Sequence, residues 1–142
     1  MRSASLGTWR KGWRSSALCS SWVLAAAGSH VASAAWVKVA DLTDGDVLYA
    51  NASASQGPTV ALTTLLVYAR PQLLGQGSAV LATQARWELR CSDGQYRNLA
   101  FTTHAGKTAD SPVVAQHSQP SDWSTAPPES MPGRLLRWAC KP

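Results

Sequence analysis

The chain has 142 residues, 45% of them hydrophobic and 15% charged, with a formal charge of +5. Four of its 13 Lys and Arg residues lie in the first 34 positions and all eight acids lie beyond them, so residues 35–142 carry about +1. That near-balance, with no run of four cations, excludes an electrostatic footprint for nucleic acid. After residue 34 no apolar stretch approaches the roughly 18 residues that a membrane span needs.

Arg2, Arg10, Lys11 and Arg14 precede an apolar stretch over residues 16–28, followed by Ala32-Ser33-Ala34. Cations, an apolar segment and a small-x-small site make a secretory signal peptide over residues 1–34, cleaved after Ala34. Cys19 follows the bulky Leu18, where a lipidated cysteine needs a small neighbour, so acylation is not expected. Cleavage leaves a 108-residue chain, 35–142, the size of a single domain. It also leaves two cysteines, Cys91 and Cys140, in an oxidising compartment. A disulfide between them would close a loop of about 50 residues and stabilise the domain by about 4 kcal/mol. Two buried free thiols are the alternative.

Trp36-Val37-Lys38-Val39-Ala40 alternates and Asp46-Val47-Leu48-Tyr49-Ala50 follows the Asp44-Gly45 dipeptide, which predicts a β-hairpin. Residues 51–58 read as a polar loop. Residues 59–70 are a β-branched strand, ended by Pro71 and the Gly75/Gly77 turn. Residues 79–91 form the clearest strand: Leu81, Ala85, Trp87, Leu89 and Cys91 fall on one face, Gln84, Arg86, Glu88 and Arg90 on the other. A period of two means one buried and one wet face. Asp93-Gly94 turns the chain into a partner strand over 96–104, and 113–117 reads as a sixth strand after a loop. Residues 119–128 are a Ser/Pro-rich loop carrying Trp123. Residues 134–140 have helical spacing, with Leu135, Trp138 and Ala139 on one side and Pro132 suited to the first turn.

Catalytic and metal-binding patterns are weak. Asp41, Asp44 and Asp46 lack the EF-hand spacing, and the twelfth position counted from Asp41 is Ala52 where that loop needs Glu. His104, His117, Cys91 and Cys140 include no close ligand pair for zinc. There is no Gly-x-Ser-x-Gly elbow and no phosphate loop, and Glu88 sits between Arg86 and Arg90, where cross-strand ion pairing suffices. No catalytic residue, metal or cofactor is expected. The basic strand face of Arg86, Arg90 and Arg97 could meet an acidic partner such as a glycosaminoglycan. Trp36, Trp87, Trp123 and Trp138 could anchor an interface, although Trp87 and Trp138 point to the core.

The order of these features resembles the surface-adhesin protein E-like family of exported Gram-negative domains. The matching pieces are Trp36-Val37-Lys38-Val39, Asp44-Gly45 with Tyr49, Cys91 through Tyr96-Arg97, Trp123 before a Pro-rich segment, and Pro132-Gly133 through Cys140-Lys141. The resemblance implies an α+β domain: a single antiparallel sheet of about six strands, a C-terminal helix packed on one face, and one disulfide. It also implies a non-enzymatic adhesin that binds host matrix or serum proteins from the cell surface. A periplasmic accessory protein binding another envelope component is the alternative, given the Leu18-Cys19 sequence. An open sheet leaves edges that a second copy could pair with, as in a homodimer.

Overall fold

The computed structural model describes residues 35–75 and 77–141, without the side chains of residues 52–56. The signal peptide expected over residues 1–34, with Cys19 and the cleavage site at Ala34, lies outside the described residues.

Seven strands and one helix follow in order: β1 (Val37–Asp41), β2 (Val47–Gln56), β3 (Thr59–Leu74), β4 (Ser78–Arg90), β5 (Gln95–His104), β6 (Val113–His117), β7 (Ser124–Thr125) and α1 (Met131–Ala139). The first six form an antiparallel meander in which spatial order equals chain order, and β7 pairs with the start of β5. The Asp-Gly dipeptides turn the chain as expected. Gly45 takes φ 82° and Gly94 takes φ 62°, a left-handed backbone that L side chains disfavour. Leu42 N–H donates to the Asp46 carbonyl at 2.8 Å across the first of these turns.

Two expected boundaries move. Residues 51–56 continue β2, paired with β3 down to Gln56 opposite Thr59, so that only Gly57 and Pro58 remain as the turn. A register shift between Ala52 and Ser55 absorbs the poor strand formers, and the ladder along the β-branched start of β3 outweighs their local preference. Likewise β3 runs past Pro71 to Leu74, because a second register shift between Val67 and Gln72 removes the ladder bond that proline cannot donate.

One face of the sheet carries the core. Leu48 and Ala50 of β2, Leu62 of β3 and Ala85, Trp87 and Leu89 of β4 pack under α1, whose Leu135 and Leu136 are buried. Full burial of a leucine stabilises by about 1.5–3 kcal/mol. The one polar atom that the Trp87 ring brings in is satisfied: Nε1–H donates to Thr64 Oγ1 at 2.9 Å. Helix α1 starts earlier than residue 134, at Met131. Ser130 is its N-cap, accepting the Gly133 N–H at 3.2 Å, and Pro132 occupies the first turn, where no intrahelical donor is lost. At the far end Cys140 caps the helix and is disulfide-bonded to Cys91, which follows β4; their Cα atoms are 5.6 Å apart. The central strand is thus tied to the helix that covers it.

The opposite face is not uniformly wet. Val80 and Ala82 of β4 are buried on it with Leu65 and His104, while Leu81 is only half-buried. The expected pattern placed the buried set with Leu81. Ala82 stands opposite the buried His104 in the ladder, and the loop after β5 folds back beside it, with Ala105 N–H on the Pro112 carbonyl and His104 Nδ1 2.8 Å from the Ser111 carbonyl. Nearby, Lys107 and Trp36 line a shallow depression with Tyr49, Leu65 and Val67.

Candidate functional site

The second half of that same face presents the basic residues. Arg86 and Arg90 alternate with Glu88 along β4, and Arg97 of β5 stands opposite Glu88 in the ladder. The carboxylate holds Arg97 by one oxygen: Nε and Nη2 both donate to Glu88 Oε2 at 2.5 Å. Arg90 turns the other way, with Nη1 3.4 Å from Gln95 Oε1. Arg86 is exposed and has no ion pair among the described residues.

Trp123 joins them. Its segment does not hang free as a loop. Ser121 N–H donates to the Asn98 carbonyl at 2.9 Å, Asn98 N–H donates to Ser121 Oγ at 3.1 Å, and Ala126 N–H donates to the Gly94 carbonyl at 3.1 Å. With β7 between these anchors, the segment closes the sheet edge that β6 leaves uncovered. This delivers the half-buried Trp123 ring to the basic face. The guanidinium carbon of Arg90 lies 3.9 Å from the ring centroid and that of Arg97 lies 4.8 Å from it. Both distances are within cation–π range. The site is therefore a preordered cationic surface, with one aromatic ring holding two arginines and a third arginine free beside them.

Of the three arginines singled out from the sequence, the structure gathers Arg90 and Arg97 on Trp123 and sets Arg86 further along the same face. Trp123 is the member that strand alternation could not supply; its only signal was a large aromatic in a Ser/Pro-rich segment. The other clusters do not assemble. Cys91 and Cys140 are bonded to each other, His104 is buried in the small core, and His117 stacks on Phe101 with 5.3 Å between ring centroids. Asp41 pairs with Lys38 at 2.7 Å, a bond that raises the Lys38 pKa, and Asp46 Oδ1 accepts the Ala69 N–H at 2.8 Å. Among the described residues no group of three or more His, Cys, Asp or Glu could hold a metal ion, and no helix is long and apolar enough to cross a membrane.

A family model described as surface-adhesin protein E matches residues 36–141. The chain belongs to this family. The surface-adhesin protein E match covers every element from β1 to α1. Two solved structures share the fold. One, crystal form II of Haemophilus influenzae protein E, aligns with a TM-score of 0.60 at 7% identity, covering 74% of this chain and 86% of that one. The other, protein E from non-typeable Haemophilus influenzae, aligns with a TM-score of 0.53 at 11% identity, covering 75% and 84%. At such identities the likeness speaks for the fold alone. No curated protein matches the sequence.

Proposed function

We propose that the chain is an exported, non-enzymatic binding domain of a Gram-negative bacterium, displayed at the cell surface and recognising a host matrix or serum protein. In this reading residues 1–34 are the signal peptide, cut after Ala34, and residues 35–142 are the adhesin domain. Membership of the surface-adhesin protein E family over residues 36–141 is the observation that carries it. The likeness to protein E structures supports the same architecture. The contact surface is the Arg86, Arg90, Arg97 and Trp123 face: arginine and tryptophan are the residues that most often dominate binding energy, and here they are held in place before a partner arrives. An acidic partner surface, protein or glycosaminoglycan, complements it. The outer edges of β1 and β6 are where a second copy could pair in a homodimer.

The test is retention of the purified protein on immobilised extracellular-matrix and serum proteins, compared with an Arg86→Glu variant. Retention that falls at least about threefold on charge reversal supports the reading. Equal behaviour of both proteins overturns the assignment of this face.

A second reading has one observation in its favour. Leu18 before Cys19 does not suit lipid attachment, which favours a periplasmic accessory protein that binds another envelope component. Retention on an envelope extract, with none on matrix proteins, would select it.

A further inference from the structure

The helix-covered face of the sheet is not filled to its end. Beyond the N-terminus of α1 a groove of about 440 Å³ remains, floored by Leu66, Ala85 and Trp87 and walled by Met131, Phe101 and His117. The polar groups on its floor are turned toward neighbouring side chains. Tyr68 Oη and Thr83 Oγ1 are 3.0 Å apart, and Thr64 Oγ1 already accepts from Trp87. The surface offered is therefore apolar, and Phe101 is left 38% exposed on it, stacked on His117. Its size lies within the range of ligand pockets, yet it is an open groove on a sheet, whereas small-molecule sites enclose about 70–90% of the ligand surface. A side chain of a protein, which has further contacts of its own, suits such a groove better than a free small molecule.

The charge beside it favours one kind of segment. Tyr68 also lines a second groove of about 510 Å³, so the two lie side by side. The second is polar, with Asp44, Asp46 and Gln72 around Arg70. Two carboxylates face one guanidinium there, and neither Asp44 nor Arg70 has an ion pair among the described residues. The local charge is negative, opposite in sign to the arginine face on the other side of the sheet.

We propose that these neighbouring grooves together are a second protein-binding site. An extended segment of a partner places an aromatic or large aliphatic side chain against Phe101, Leu66 and Trp87, and a Lys or Arg of the same segment reaches Asp44 and Asp46. The site is separate from the arginine face and does not depend on it.

The experiment is an NMR titration of the purified protein with acetyl-Lys-Ser-Ala-Phe-Ser-Ala-amide, the same residues in reverse order, and counterparts carrying Glu for Lys or Ala for Phe. The expected result is saturable shifts at Tyr68, Thr83 and Phe101 with at least one Lys peptide, about threefold or more weaker binding of its Glu counterpart, and loss of binding without Phe. Phe101→Ala should weaken binding in protein whose NMR spectrum shows it folded, and Asp44→Asn should reduce the preference for Lys over Glu. Peptides that cause no saturable shift, that bind regardless of Phe, or that shift only the Arg86, Arg90 and Arg97 face overturn the proposal. So does a folded Phe101→Ala protein that binds undiminished.

Discussion

Arg90 and Trp123 meet across the sheet edge with 3.9 Å between guanidinium carbon and ring centroid, although one lies at the end of β4 and the other in the segment before β7. The contact does two things. It holds in place a guanidinium that would otherwise sample many rotamers, and it fastens the 118–126 segment to the strand face. Trp123→Ala should therefore release both. The expected loss of stability is about 1–3 kcal/mol, from the cation–π contact and the apolar burial of the ring together. Urea unfolding measures it. The same variant should show faster amide exchange at Ser121 and Ala126, whose backbone bonds hold the segment to β5.

Glu88 neutralises one of the three arginines of that face. Removing its charge while keeping its shape, as Glu88→Gln, should free Arg97 and strengthen retention of the protein on an immobilised acidic polymer such as heparin. The elution salt should rise relative to the unmodified protein, and that of Arg86→Glu should fall, because exposed charges act through a screened field. Unchanged elution for both variants would separate the arginine face from acidic partners.

Reduction of the Cys91–Cys140 bond, or a Cys140→Ser variant, should destabilise the domain by about 4 kcal/mol, the loop-entropy value for a crosslink with a sequence separation of 49. That is a large part of the 5–15 kcal/mol typical of a folded domain (about half for a domain of this size). The helix should loosen first, since Cys140 is its cap and the sheet retains its own ladder. Helical circular dichroism should thus fall at lower denaturant than the β signal in the reduced protein.

Gly133 gives a counterintuitive expectation. Alanine is the better helix former by about 1 kcal/mol, yet a Cβ at this position would run into the backbone carbonyls of Pro127 and Pro128. Backbone atoms cannot swing away as a flexible side chain can, so Gly133→Ala should destabilise by about 1–3 kcal/mol. The effect should appear as a lowered Tm, with the disulfide still formed.

Much of this architecture could be read from local chemistry. Asp44-Gly45 and Asp93-Gly94 need only their own backbone preferences to turn, and the alternation from Ala85 to Leu89 and the helical spacing of Leu135, Trp138 and Ala139 follow from one core-facing side each. What escaped was set by partners distant in sequence. Residues 51–56 are strand because β3 lies beside them, and Ala82 is buried on the face opposite the helix, where its ladder partner is His104 of β5. Trp123 belongs to the arginine face because β7 pairs with β5, a two-residue match too short to leave a pattern. The basic face was legible as three arginines on adjoining strands; its aromatic centre was not.

Surface display is the central claim, and protease accessibility tests it most directly. Intact cells expressing the protein are treated with proteinase K beside cells whose outer membrane has been opened, and the domain is followed by immunoblot. Degradation in both samples is the result expected of a surface adhesin. Protection in intact cells with degradation only after opening would contradict it, and would place the domain in the periplasm with an envelope component as its partner.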